Sequence, residues 1–468
     1  MKWRNSTAAR NLKIVAILLV PTVLFAGLIA LALGESYEAI QVHRHHVPPS
    51  AFHFDAPPYR PPKPVVKKVG DFPDDSVMLL TPVKLATDVR KAVAADLMSC
   101  YITNEGALFC LDGDFTRDTS GKTGDDRVFR CRKIDTDVED VAVGLNHIIY
   151  VKHNGDLFGV GDNKFCQLGE QGKGHFNTPV RIAGNVKSVA AMENSSFFID
   201  RDGTLHGMGL NNCGQLGEGP NRDHYDPLCI TKKIVELDHD VISVACGRNS
   251  ILFVKKTGVL FAMGANNKGQ LGTDQKFLDP DGDKNGRGYV LTIDCIDGVD
   301  ENGNGYARSI DGTNCFVSHP VKVTDNVKCA AAGWDSNFYV TKDGKLITWG
   351  DNLWFRYFHH MMLDTAFEKL FLADDVDRIS AMSFNIMFLT KKGTLYAIGM
   401  NEHGQFGNGT KKASYTPVFV AGGVKDFSVG GSHSLFVTND GTLYGMGDAT
   451  LGVFGRDFSK EAAETGTK

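Results

Sequence analysis

The stretch that decides the fold is GMGLNNCGQLGEG at residues 207–219, in which five of thirteen residues are glycine. Similar phrases return along the chain as GVGDNKFCQLGEQG at 159–172, AMGANNKGQLG at 262–272, AIGMNEHGQFGNG at 397–409 and GMGDATLGVFG at 445–455. A phrase that returns at intervals of this size indicates a repeat architecture rather than a set of unrelated domains.

Each phrase ends a longer unit, of which VKSVAAMENSSFFIDRDGTLHGMGLNNCGQLG at 186–217 is one copy and 241–272 and 424–455 are others. Alternating apolar residues on both sides of Asp-Gly, Lys-Gly or Thr-Gly predict a β-hairpin. The turn glycines recur at a spacing near 49 residues, with one wider gap of 86. They are Gly106, Gly155, Gly203, Gly258, Gly344, Gly393 and Gly441. Seven strand-only units predict an all-β protein, a seven-bladed β-propeller over residues 77–457.

The glycine phrase is interpreted as a joint between blades. Its Gly-x-Gly pairs let strands run close together where no Cβ fits, and its later glycines permit positive φ in a crossover loop. The apolar residue near its end is expected to fill the space between blades, and the preceding glutamine to satisfy backbone groups of the loop. These pairs are Gln167–Leu168, Gln215–Leu216, Gln270–Leu271 and Gln405–Phe406.

Copies of this form, ending in CQLG, GQLG, GQLG and GQFG, resemble the repeats of the regulator of chromosome condensation family. The resemblance covers about residues 80–457 and implies a seven-bladed propeller that acts by protein–protein contact. His147 and His433 fall where that family often carries a histidine in G-x-x-H-S. We interpret both as structural hydrogen-bonding residues rather than catalytic ones.

The N-terminal region is not of propeller type. Residues 14–33 form an uncharged apolar run of twenty residues, long enough to cross a bilayer as a helix. Lys and Arg precede it in residues 1–13, so the positive-inside rule places this end in the cytoplasm and the propeller in the periplasm or outside the cell. A single-pass signal-anchor is favoured over a cleaved signal peptide because the run exceeds the usual apolar length of a signal peptide.

Residues 34–76 are rich in proline and histidine and predict an extended linker, and residues 458–468 form a polar tail. All ten cysteines follow the apolar run, so an exported domain permits disulfides whose pairing the sequence leaves open. The net charge of −5 leaves no basic footprint for nucleic acid, and no motif for a small-molecule cofactor is evident.

The wide gap between the fourth and fifth copies contains an insertion, residues 273–318. Asp300, Asn302, Asn304 and, after Gly305, Asp311 follow the D-x-[DN]-x-[DN]-G-x5-E pattern of calcium loops, with Asp replacing the final Glu. Asp281, Asp283 and Asn285 repeat the first half. Calcium is the predicted ion, and a polar loop without an ion is the alternative. Cys295 and Cys315 bracket the second pattern, where a disulfide would hold it closed.

The fifth copy replaces its GQLG ending with LWFRYFHHMM at residues 353–362. Trp354, Phe355, Arg356, Tyr357 and Phe358 are candidate partner-binding residues, since these types are enriched at binding hot spots. The alternative is that the aromatic side chains fill the space between blades that the missing glycines leave.

The sequence contains no nucleophile elbow, zinc-protease motif or dinucleotide fingerprint, and it predicts a protein without enzymatic activity. The leading hypothesis is a membrane-tethered, extracytoplasmic propeller that binds a protein partner and is organised by calcium at its insertion. The alternatives are a secreted propeller-type enzyme inhibitor, a guanine-nucleotide exchange factor and an enzyme that degrades a polymer.

Overall fold

A computed structural model shows an all-β chain. It describes residues 66–68, 77–112, 130–172, 174–217, 230–266, 269–272, 295–299, 305–309, 314–350, 369–450, 452–455 and 458. The predicted anchor at 14–33 lies outside these residues, and in the part that is described no helix has the length and apolar character to cross a membrane.

The strands form seven antiparallel sheets, which are the predicted seven blades. Blade 1 contains β3 (Val89–Ala94), β4 (Met98–Thr103), β5 (Leu108–Asp112) and β6 (Arg130–Asp135). Blade 2 contains β7 (Val138–Val143), β8 (His147–Lys152), β9 (Leu157–Asp162) and β10 (His175–Ala183). Blade 3 contains β11 (Val186–Met192), β12 (Ser195–Asp200), β13 (Leu205–Leu210) and β14 (Ile230–Asp238).

Blade 4 contains β15 (Val241–Cys246), β16 (Ser250–Lys255), β17 (Leu260–Ala265), β18 (Cys295–Val299), β19 (Gly305–Ser309) and β20 (Asn314–Thr324). Blade 5 contains β21 (Val327–Ala332), β22 (Ser336–Thr341), β23 (Leu346–Gly350) and β24 (Leu370–Ala373). Blade 6 contains β25 (Val376–Met382), β26 (Asn385–Thr390), β27 (Thr394–Gly399) and β28 (Ser414–Gly422). Blade 7 contains β29 (Val424–Val429), β30 (His433–Thr438) and β31 (Leu443–Asp448), together with β1 (Val66–Lys68) and β2 (Val77–Ala86).

Blade 7 closes the ring because it is built from both ends of the propeller. Strand β2 pairs with β31, so an N-terminal strand completes the last sheet, and β1 adds to its outer edge. The first strands of successive blades contact one another all round, including β29 with β3, and therefore surround the central axis. The inner edge that each blade leaves at the axis is a single short strand enclosed by the ring.

The two faces of the propeller differ in what they carry. We call the turn between the first and second strands of a blade its first turn. Because the blade strands alternate in direction, the first turns and the connections from third to fourth strand lie on one face, here called the loop face. The hairpin turns between second and third strands and the crossovers between blades lie on the opposite crossover face. All seven predicted turn glycines have positive φ, between 76° and 100°, which confirms the predicted hairpins.

The sequence interpretation of the glycine phrase as a joint between blades was wrong in its connectivity. In blade 3 the phrase connects β13 to β14, two strands of the same blade. The crossovers are short turns elsewhere, of two residues at six positions and of Gly423 alone between blades 6 and 7. Each has one residue at φ between 57° and 66° followed by a buried valine. The crossover residues are Asp88, Asp137, Asn185, Asp240, Asn326, Asp375 and Gly423. Asp, Asn and Gly tolerate this left-handed conformation best.

The packing role predicted for the phrase is confirmed. Leu168 is fully buried between Ile149 and Leu157 of its own blade and Phe198 and Met208 of the next. Complete burial of a leucine contributes about 1.5–3 kcal/mol to the free energy of unfolding. Leu216, Leu271 and Phe406 are equally buried in their blades.

Polar side chains hold the same loop in shape. The Oε1 atoms of Gln167, Gln215 and Gln405 each accept a hydrogen bond of 2.9–3.0 Å from the amide two residues earlier, as predicted. An asparagine that the sequence interpretation did not use accepts from the buried apolar residue itself, at 2.7–3.0 Å. These residues are Asn163, Asn211, Asn266 and Asn401. The repeated G-x-N therefore encodes a local turn that drives the apolar side chain inward.

The insertion extends blade 4 at its outer edge. Strands β19 and β18 add to β20 in the order β20-β19-β18, which makes this sheet six-stranded. This order also argues against the suggested disulfide between Cys295 and Cys315, because β19 lies between their strands. Two strand spacings separate the backbones by roughly 9.5 Å, which exceeds the reach of a disulfide.

Candidate protein-binding site

The seven first turns of the loop face surround the mouth of the central channel, and all of them are described. Asp96 lies on the first turn of blade 1, Glu193 on blade 3, Arg248 on blade 4, Trp334 on blade 5 and Phe384 on blade 6. Residues that lie far apart along the chain therefore meet around one opening.

Arg248 is the centre of this group. Its Nε lies 3.1 Å from Glu193 Oε1, and its guanidinium lies 5.1 Å from the centre of the Trp334 ring. The Trp334 ring in turn contacts Phe384 edge to face, with 5.9 Å between ring centres. The ion pair and the two ring contacts link blades 3, 4, 5 and 6 at the mouth. We call Asp96, Glu193, Arg248, Trp334 and Phe384 the mouth cluster.

The surroundings of the two carboxyl groups of the mouth cluster disfavour their charged forms. Burial raises the pKa of Asp96, and the positive charge of Arg248 opposes this only in part. Burial also raises the pKa of Glu193, and the nearby Asp96 charge adds to the rise against the influence of Arg248. Two carboxylates thus share one guanidinium at a partly enclosed site.

Apolar surface borders these charges. Leu97, beside Asp96, is 43% exposed and is one of only four large apolar side chains among the described residues with such exposure. The buried Nε1 of Trp334 has no hydrogen-bond acceptor within the described part of the chain. Half-buried aromatic side chains beside an exposed arginine and an exposed leucine form a surface of the kind that proteins use to bind other proteins.

A second set of charges lines the channel below the mouth. Lys91 of β3 pairs with Asp140 of β7, and Arg378 Nη1 of β25 donates a 3.2 Å hydrogen bond to Asp426 of β29. Burial opposes the charge of Lys91, but Asp140 more than offsets it, so the pKa of Lys91 is raised. Burial raises the pKa of Asp426, although the Ala92 amide donates to its carboxylate at 2.8 Å. These contacts join blades 6, 7, 1 and 2 and are structural.

The structural role predicted for His147 and His433 is confirmed. Each side chain is buried and shares a 2.7 Å hydrogen bond through Nε2 with a serine hydroxyl of the following blade, Ser196 and Ser99 respectively. Burial lowers the pKa of both histidines to about 3, which keeps the rings neutral. A Cβ at Gly144 would overlap the His147 ring, which explains the glycine of G-x-x-H.

The residues predicted to bind calcium lie outside the described residues. Asp300, Asn302 and Asn304 fall between β18 and β19, whereas Asp311 falls after β19. The earlier positions Asp281, Asp283 and Asn285 are also outside, and no group of three potential metal ligands occurs among the residues that are described. Calcium stays a prediction.

The predicted partner-binding residues Trp354, Phe355, Arg356, Tyr357 and Phe358 likewise lie outside the described residues. They fall between β23, which ends at the loop face, and β24, which begins there. The segment before β18 leaves β17 at that face too. The sequence interpretation missed the mouth cluster. The signal that could have found it is that first-turn residues differ from copy to copy, whereas scaffold residues recur.

The sheets, their closure and the mouth cluster define a seven-bladed β-propeller with a candidate binding site at one channel mouth. Family models of the regulator of chromosome condensation (RCC1) repeat match residues 202–254 and 392–437, and a second model of this repeat matches 241–270 and 424–452. The chain thus carries RCC1 repeats, as the sequence resemblance predicted.

Solved structures share the fold at low sequence identity. Human WBSCR16 is 20% identical with a TM-score of 0.55, and the match covers 70% of this chain and 82% of that one. Prp20p from Saccharomyces cerevisiae, described with its binding to Gsp1p and histones, is 20% identical with a TM-score of 0.56, over 76% and 84%. Yeast RCC1 (Prp20), solved with Kap60 bound, is 20% identical with a TM-score of 0.50, and the match covers 70% of this chain and 74% of that one. No curated protein sequence matches the chain.

Proposed function

We propose that the protein is a membrane-tethered β-propeller that binds a protein partner outside the cytosol through its loop face. The observation that carries this proposal is the mouth cluster, in which Arg248 bridges Glu193 and Trp334 at the channel opening. Arginine and tryptophan are the residue types that most often dominate binding energy when a partner covers them.

The tether in this proposal is the apolar segment 14–33, and the location follows from the positive residues before it. Calcium at Asp300, Asn302 and Asn304 would stiffen the end of the β18–β19 hairpin, at the outer edge of blade 4. The protein acts by binding, without catalysis of its own.

Site-specific photo-crosslinking in the native host tests the proposed surface. A photoreactive residue replaces Leu97 at the mouth in the full-length protein, and the matched control carries it at Lys256, which is exposed on the crossover face. We expect one discrete crosslinked protein from position 97 and none from position 256. Trp334→Ala in the position-97 protein should reduce its yield at least tenfold. Equal crosslinking from both positions, or no effect of Trp334→Ala, would overturn the proposal.

Guanine-nucleotide exchange is the second candidate function, because Prp20p, which shares the fold, is described as binding Gsp1p. Its test is the release of a fluorescent GDP analogue from small GTPases of the host in the presence of the full-length protein. Release that rises with protein concentration and is lost in Arg248→Ala would favour exchange. The secreted-inhibitor alternative predicts instead that the mature chain lacks residues 14–33, which N-terminal sequencing measures.

A further inference from the structure

The seven first turns carry an imbalance of charge. They contain three carboxylates, those of Asp96, Glu193 and Asp335, and one cation, Arg248. Arg248 already makes an ion pair with Glu193 and lies over the Trp334 ring, so its charge is shared among several groups. These seven turns therefore present more negative than positive charge to a partner.

Asp96 is less compensated than Glu193, which makes the ion pair with Arg248. Within the described part of the chain no group donates a hydrogen bond to Asp96, and Arg248 acts on it only through its charge. Its side chain packs against the first turn of blade 7. A Cβ at Gly431 would lie 2.4 Å from Asp96 Oδ1, so the carboxylate fits only because this residue is glycine. A half-buried carboxylate without a hydrogen-bond donor costs free energy that a partner's cation would recover.

We propose that the partner inserts a lysine or arginine side chain between Asp96 and Glu193, with an adjacent apolar residue resting on Leu97 and the Trp334–Phe384 pair. This inference rests on the proposed function and specifies the chemistry of its partner. A second cation would complete two ion pairs at the mouth, one for each carboxylate, and leave Arg248 stacked on Trp334. The apolar neighbours would exclude water from both pairs and strengthen them.

A random dodecapeptide library displayed on phage tests the inference against the full-length protein in detergent. We expect the selected peptides to share one lysine or arginine next to an aromatic or aliphatic residue. Replacing that basic residue with glutamine in a synthetic peptide should weaken its binding at least tenfold. Asp96→Asn in the protein keeps the shape of the side chain and removes its charge, and it should weaken binding of the parent peptide by a similar factor.

The matched control is Asp240→Asn on the crossover face, which should leave peptide binding unchanged. Peptides that depend on Trp334 but lack a basic residue and ignore Asp96→Asn would overturn this inference and leave the proposed binding surface intact. Peptides that bind the Trp334→Ala and Asp96→Asn variants as well as they bind the unmodified protein would overturn both this inference and the proposed function. A thermal melt of each variant separates loss of binding from loss of folding.

Discussion

His433 Nε2 and Ser99 Oγ lie 2.7 Å apart although 334 residues separate them in the chain. His433 belongs to β30 of blade 7 and Ser99 to β4 of blade 1, so this bond crosses the seam where the ring closes. His147 and Ser196 make the same bond between blades 2 and 3, at 2.7 Å. One repeat position thus serves both an ordinary blade contact and the closure.

Loss of the seam histidine should destabilise the propeller. His433→Ala removes the bond and leaves the buried Ser99 hydroxyl without its partner, which we expect to cost about 1–3 kcal/mol in free energy of unfolding. Denaturant unfolding measures the change. His153→Ala is the control, because that side chain is 52% exposed and should shift stability by less than about 0.5 kcal/mol. Equal stability of the two variants would contradict the role of the seam bond.

Acid should destabilise the protein through the same two histidines. Their pKa is about 3 in the folded state, whereas an unfolded histidine titrates near 6.5. The unfolded chain therefore binds protons that the folded chain does not, and stability falls as pH drops below about 6.5. Each histidine contributes a slope of about 1.4 kcal/mol per pH unit down to its folded pKa. Denaturant unfolding from pH 7 to 4 should show a steep slope that His147→Gln with His433→Gln flattens. An unchanged slope would refute this assignment.

The second glycine of the Gly-x-Gly pair should tolerate no side chain. Gly209 has φ of 110°, and a Cβ there would overlap the carbonyl oxygen of Asn194 across the first turn. Gly172→Ala is the matched control, because φ is 92° but no atom lies within 4 Å of the added carbon. The control should lose about 1–2 kcal/mol from backbone strain alone, and Gly209→Ala clearly more. Similar melting temperatures for the two variants would show that the overlap relaxes without cost.

Cysteine labelling tests the proposed compartment. Cys100 and Cys110 lie directly opposite each other on β4 and β5 and form a buried disulfide, whereas the thiol of Cys131 is free and exposed. A protein exported to an oxidising compartment should keep this disulfide. In protein purified from the host without reductant, a maleimide should label Cys131 readily and label Cys100 and Cys110 only after reduction and unfolding. Labelling of all three after unfolding without reductant would argue against export.

The repeat period identified the blades because every blade must bury the same kinds of faces against its neighbours. Turn glycines such as Gly203 and the buried Leu216 were predicted because a local turn and an apolar side chain each follow from residue type. The sequence interpretation missed the crossovers because their pattern, a single Asp, Asn or Gly followed by valine, is short and common. It is a weaker sign of a turn than the glycine phrase. Val89 shows the role of the crossovers, since its amide donates a 2.9 Å bond to Gly441 across the seam.

The candidate site was beyond sequence reasoning for a different reason. Asp96, Glu193, Arg248, Trp334 and Phe384 occupy first turns that look like ordinary variable loop residues in each copy. Their relation depends on the angular position of each blade around the axis, which no single repeat encodes.

The sequence by itself determined the number of blades, their hairpins and the buried positions, since those depend on interactions within a repeat and with its neighbour. Only the tertiary structure decided how the ring closes, with β2 beside β31, and which side chains meet at the channel mouth. Ring closure is a long-range pairing whose partners share no local pattern. The physical reason is that strand pairing and charge contacts depend on distance in space, which the chain order does not record once a ring has formed.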